Sequence, residues 1–141
     1  FATCRHNLAA IDLADEAAAI TTRAVALAHE AIHEVAADRE VIVAGSMSNN
    51  RAWIPGTTTP DPRYLPSREE ESENYHEMAE ALAAGGADAI LLEMMSDVDR
   101  ASMVAEAAKS TGLPLWIGIS AALNASGELT GWTSHLANAN R

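Results

Sequence analysis

Apolar and polar positions along this chain follow two periods, and the changes between them mark where elements start and stop. From Asp15 to about Ala37, larger apolar residues stand at Ile20, Leu27, Ile32 and Val35, with Ala24, Ala28 and Ala31 between them. Their i, i+3, i+4, i+7 spacing predicts an amphipathic helix. In "REVIVAGSM", the β-branched run Val41, Ile42 and Val43, closed by Gly45, predicts a short strand of the buried kind. The segment from Ser48 to Pro66 holds four of the five prolines and is expected to be a long loop.

Ser67, with Glu70 three residues on, has the form of a capping box, and acidic residues crowd the turn that follows. Tyr75, Met78, Ala79 and Leu82 form the inward face of that helix, and Gly85-Gly86 stop it. "ADAILLEMM" predicts the next strand. Ser96 or Asp97 caps a further helix carrying Ala101, Val104, Ala105 and Ala108, which closes at Gly112. Pro114 leads into the strand "LWIGIS", and a turn is expected at "NASGELTG". Strands alternating with helices of this length predict an α/β fold of parallel βαβ units. No glycine-rich phosphate loop follows any strand, which weighs against a nucleotide-binding sheet.

Composition narrows the function classes. A chain of 141 residues, 48% of them hydrophobic, supports one core, so residues 1–141 are read as a single domain segment. The net charge of -11 repels phosphate backbones and argues against nucleic acid as a partner. No apolar run approaches the roughly 20 residues of a membrane span. The lone Cys4 cannot form an internal disulfide and suits a reducing, cytoplasmic setting. The chain opens on "FATCRH" without an initiator methionine and closes on "TSHLANANR", where a helix begins. Both ends are expected to be cuts in a longer protein.

In parallel α/β folds, ligands bind at the carboxyl ends of the strands. "AGSM", "EMM" and "GIS" are three such ends, and they place Gly45, Ser46, Glu93 and Ser120 around one mouth. Glu93 ends an otherwise oily run, where an unpaired buried charge would be expensive. Its plain alternative is an ion pair with an arginine, or acceptance of helix N-terminal N–H groups. Ser46 and Ser120 have plain readings as turn hydroxyls, and neither stands in a GxSxG elbow. The acidic run Glu69, Glu70, Glu71 and Glu73 reads as a solvated helix start.

His6, His29, His33, His76 and His135 form no convincing cluster. "HEAIH" matches H-E-x-x-H in letters, but zincin chemistry needs a third ligand and a helix facing a cleft. Here the motif ends a helix expected in the outer layer. Cys4 is read as packing rather than as a nucleophile. No metal site and no catalytic residue is assigned to the chain.

Taken together, "FATCRHNL", "VIVAGSM", "YHEMAEALAAGGADAILLEMMSDVDRA" and "LPLWIGIS" resemble the homocysteine S-methyltransferase family. The resemblance implies a (β/α)8 TIM barrel, of which this chain would be the part from about strand two to strand five. "VIVAG", "AILLE" and "LWIGIS" would be strands three, four and five. It also implies methyl transfer from a small donor to the thiol of homocysteine or a similar acceptor, as in methionine biosynthesis. In that family a zinc ion held by three cysteines makes the thiol a thiolate. Those cysteines follow strands six and eight, so neither the zinc ligands nor turnover by this piece alone is expected. Glu93 matches the family glutamate that holds the substrate ammonium, and Gly45-Ser46 match its Gly-Ser after strand three. "SMSNN" departs from the family's usual Ile-Gly-Pro continuation. The rival reading is a non-catalytic α/β half-barrel module that binds a partner or self-associates through open sheet edges.

Overall fold

The computed structural model describes residues 1–131; the helix start expected in "TSHLANANR" and His135 lie outside them. Helix α1 (Arg5–Leu8) and two single 3-10 turns (Ala9–Ile11 and Ala14–Glu16) lead into α2 (Ala17–Val35). Then come β1 (Ala44–Ser48), α3 (Arg68–Ala84), β2 (Ala89–Met95), α4 (Val98–Ser110) and β3 (Leu115–Ile119). Strands β1, β2 and β3 form a parallel sheet in that order. A small antiparallel hairpin, β4 (Ala121–Leu123) with β5 (Leu129–Gly131), follows around the expected turn. The protein is thus a mixed α/β chain of parallel βαβ units. Among the described residues no helix is long and apolar enough to cross a membrane.

Helix α3 forms where its local chemistry directs. Ser67 Oγ accepts from the Glu70 N–H while Glu70 Oε2 accepts from the Ser67 N–H, satisfying two otherwise orphaned donors. It ends at Gly85, and Gly86 takes the left-handed φ of 92° that favours glycine. Helix α4 is capped by Asp97, whose carboxylate accepts from the Arg100 N–H at 2.8 Å.

Tyr75, Met78, Ala79 and Leu82 of α3 and Val104, Ala107 and Ala108 of α4 cover one face of the sheet. They pack against Met47, Ile90, Leu92 and Met95 to make the core. Because side chains alternate along a strand, the other face carries Ser46, Leu91, Glu93 and Trp116. These four residues are half-buried or exposed, whereas Ser48 and Ala89 on the same face are buried.

Two expectations need correction. The first sheet strand starts at Ala44 rather than Val41. The Asp88 carboxylate takes the Val43 N–H at 2.7 Å, and the Asp88 N–H donates to the Val43 carbonyl at 2.8 Å. Regular pairing therefore begins only where β2 begins, leaving Val41 and Ile42 exposed. Helix α2 buries Ala17, Thr21 and Val25, with Ala28 and Ile32 packed behind them, while Leu27 and Val35 point outward. Close approach of α2 to α3 selects small side chains for that face: a Cβ on Gly85 would stand 3.0 Å from Val25 Cβ.

Candidate functional site

The parallel register of β1 and β2 sets Ser48 beside Glu93 and Ser46 beside Leu91. Ser46 lies two residues back from Ser48 on the same face, and its hydroxyl donates to Glu93 Oε2. Among the described residues no arginine, lysine or helix N-terminus pairs with Glu93. The expected arginine or helix N-terminus is therefore not its partner; the positive charge that acts on it is the Phe1 ammonium, through its field rather than an ion pair. Gly45 sits next to this pair but faces the other way. Its missing side chain points at α3, where a Cβ would stand 3.0 Å from Leu82 Cδ2. Gly45 lets the strand and helix close up, and its backbone alone adjoins the site.

The end of β2 is bulged. Pairing with β3 runs from Leu92–Ile117 directly to Met95–Ile119, so Glu93 and Met94 together face Gly118. Met94 takes a φ of 57°, a left-handed conformation uncommon for a residue with a side chain. The extra residue returns Met95 to the core and leaves Met94 exposed at the mouth.

Beyond the bulge lies a cavity of about 190 Å³, lined by Asn49, Arg51, Trp53, Met94, Arg100 and Ser120 among others. It spans the carboxyl ends of all three strands. Ser120 lines it and donates its N–H to the Met95 carbonyl at 3.0 Å. The loop after β1 closes one side, folded on itself by the Trp53–Pro60 bridge and by the Asp61 N–H donating to the Ala52 carbonyl at 2.8 Å. Of the four residues predicted for the mouth, Ser46 and Glu93 touch each other and Ser120 lines the cavity, whose wall includes neither Ser46, Glu93 nor Gly45.

Sequence reasoning missed the group that organises the cavity wall, Glu71. Read as part of a solvated acidic run, it is only 3% exposed. Its Oε1 accepts from Tyr75 Oη at 3.1 Å, Arg100 Nε at 3.1 Å, and Arg51 Nε and Nη2 at 3.4 Å each. The signal was present: Glu71 precedes Tyr75 by four residues and so shares the buried stripe with Tyr75, Met78 and Leu82. Burial, and then the charge of Glu71, push the Tyr75 phenol well above its ordinary pKa, so it stays a donor. His6 packs edge-on against Tyr75 with ring centroids 5.7 Å apart, and burial lowers its pKa.

Cys4 is buried, its Sγ 3.3 Å from Met78 Sδ, and burial pushes its thiol up to about 12. That environment makes a packed thiol rather than a nucleophile or metal ligand. His29 Nε2 meets the Gly86 carbonyl at 2.9 Å and ties α2 to the end of α3. Among the described residues no group of three or more His, Cys, Asp or Glu side chains could hold a metal ion. The donor set for the zinc expected from the resemblance is therefore not assembled from these residues.

The carboxyl ends of the parallel strands thus bring a carboxylate held by a hydroxyl, Glu93 with Ser46, and a cavity lined by Arg51 and Arg100 to one end of the sheet, the end at which parallel α/β folds bind ligands. The homocysteine S-methyltransferase family model matches residues 1–139, and the chain belongs to that family of methyltransferases. A search of the curated proteins found no match.

Proposed function

We propose that this protein serves methyl transfer from a small donor to the thiol of homocysteine or a similar amino-acid thiol, with Glu93 holding the acceptor's ammonium. The observation that carries this reading is Glu93 itself. It is a half-buried carboxylate at a strand end, held by Ser46 and paired with no arginine or lysine among the described residues, the Phe1 ammonium acting on it only through its field. A carboxylate fixed by a neutral hydroxyl keeps its charge for a ligand, and a charge-assisted bond to an ammonium is among the stronger ones. Ser46 orients the carboxylate, Gly45 holds the strand close to α3, and Ser120 contributes a hydroxyl on the far side of the mouth. In this reading the βαβ units are the central strands of a barrel working in the cytoplasm. The thiolate-forming zinc would need cysteines that this chain, with Cys4 alone, does not supply.

Calorimetric titration with homocysteine tests the assignment. Glu93→Gln should weaken binding by at least about tenfold, the worth of one charged hydrogen bond, with the urea midpoint nearly unchanged. Equal losses of binding and stability would return Glu93 to a structural role.

A second reading is favoured by β3, an outer strand of the sheet whose Trp116, Ile117 and Ile119 are exposed. An apolar edge of that kind invites pairing with a second copy. Sedimentation at rising concentration decides it, since a monomer throughout would remove this reading.

A further inference from the structure

The cavity beyond Glu93 has a chemical bias that the Ser46–Glu93 pair does not explain. Arg51 and Arg100 both line it, and both turn Nε toward the same Glu71 oxygen, at 3.4 and 3.1 Å. One buried carboxylate thus holds two guanidiniums side by side. Each guanidinium carries five N–H donors. Among the described residues Arg51 spends Nε and Nη2 on Glu71, while Arg100 spends Nε on Glu71 and Nη1 on Asp97 at 3.5 Å. Arg51 Nη1 and Arg100 Nη2 have no acceptor there. Asp97 also lines the cavity, but its Oδ1 is committed to the Arg100 N–H as the cap of α4.

Asn49 supplies a second and independent observation. It lines the same cavity and is 7% exposed, and its buried Nδ2 has no hydrogen-bond partner among the described residues. A buried donor left unpaired is costly, and an acceptor that reaches it removes that cost. Two guanidiniums therefore line one space, with the orphaned Asn49 amide in its wall and Asp97 as the one carboxylate among the lining residues. The cavity, about 190 Å³, is below the roughly 300–1,000 Å³ of pockets for larger cofactors, so it suits a small group.

We infer that this cavity binds a carboxylate, received by Arg51, Arg100 and Asn49. Guanidinium forks match the planar two-oxygen geometry of that group. The carboxylate belongs either to the amino-acid acceptor whose ammonium meets Glu93 or to an acidic methyl donor. The identity of the ligand rests on the proposed methyl-transfer reading, whereas the carboxylate preference does not.

The test follows the arginine Nε–H signals of the 15N-labelled protein during titration with sodium acetate, and with sodium chloride at matched ionic strength. Acetate should shift the Arg51 and Arg100 signals saturably while chloride does not. Arg51→Gln should raise the acetate midpoint by about tenfold or more. No saturable shift, or an equal response to chloride, overturns the inference, and this comparison needs no variant. Homocysteine then separates the sources. If it moves the same signals, and Glu93→Gln weakens that response while the acetate response stays intact, the carboxylate is the acceptor's. If homocysteine leaves them unmoved while acetate shifts them, the carboxylate is the donor's. Failure of the Glu93 reading shows separately, as homocysteine affinity indifferent to Glu93→Gln with acetate binding retained.

Discussion

Replacing Glu71 by alanine removes an acceptor that joins helix α3, the loop after β1 and helix α4. The cost can be worked group by group. Tyr75 is fully buried, so its hydroxyl, 3.1 Å from Glu71 Oε1, would be left without a partner or water. An orphaned buried donor costs about 1–3 kcal/mol. The two guanidiniums fare better, because the Arg51 and Arg100 side chains are 19% and 32% exposed and can turn toward solvent. Their loss is therefore well short of the roughly 3–5 kcal/mol expected when a fully buried charge pair is broken. A total of about 3 kcal/mol follows, with Arg100→Gln costing more than Arg51→Gln because its contact is 3.1 rather than 3.4 Å. Urea unfolding followed by circular dichroism measures this directly, and the m value should not change. In the double variant Glu71→Ala, Tyr75→Phe, the orphaned hydroxyl is gone, so about 1 kcal/mol should return as coupling energy. A Glu71→Ala cost below about 1 kcal/mol with no coupling would mean that Glu71 is the solvated helix-start residue its neighbours resemble.

Gly45→Ala would drive a methyl group against Leu82, at 3.0 Å from Cδ2, and should cost about 1–3 kcal/mol; trimming Leu82 to alanine in the same chain should make the Gly45 change nearly neutral. Burial lowers the pKa of His6, so below its ordinary value near 6.5 the unfolded chain binds a proton that the native chain refuses. Stability is intact above that value and falls as pH drops through it, and melting temperatures between about pH 7.5 and 5.5 should decline more steeply for the native sequence than for His6→Asn. Cys4, with its thiol pushed up to about 12, should resist a disulfide reagent near pH 8 until urea unfolds the chain. Rapid labelling of the native protein would refute that burial.

What could be read from the chain depended on how local the cause was. The capping box at Ser67 and Glu70, the stop at Gly85-Gly86 and the strands "AILLEMM" and "LWIGI" were legible because each is set within a few residues. The start of β1 was not, because pairing at Ala44 depends on where Asp88 stands in a distant segment. The inward face of α2 was half legible: Ala28 and Ile32 pack against the core as expected, whereas Leu27 and Val35 point outward and Ala17, Thr21 and Val25 are the buried residues. At the site, strand ends pointed to Ser46 and Glu93 as neighbours, but Glu71 was hidden in a run of glutamates. Its partners Arg51 and Arg100 come from segments 20 residues before it and 29 after it.

The bulge at the end of β2 has a consequence for motion. Every residue from Ile90 to Leu92 is matched across to β3, so those rungs move only when the sheet opens as a whole. Glu93 and Met94 share a single residue opposite, Gly118, and so lack that one-to-one restraint on the β3 side. Slack is thereby confined to two residues at the lip of the sheet. The irregular backbone at Glu93 and Met94 is thus set apart from Leu92 and Met95, on either side of it, which stay buried in the core.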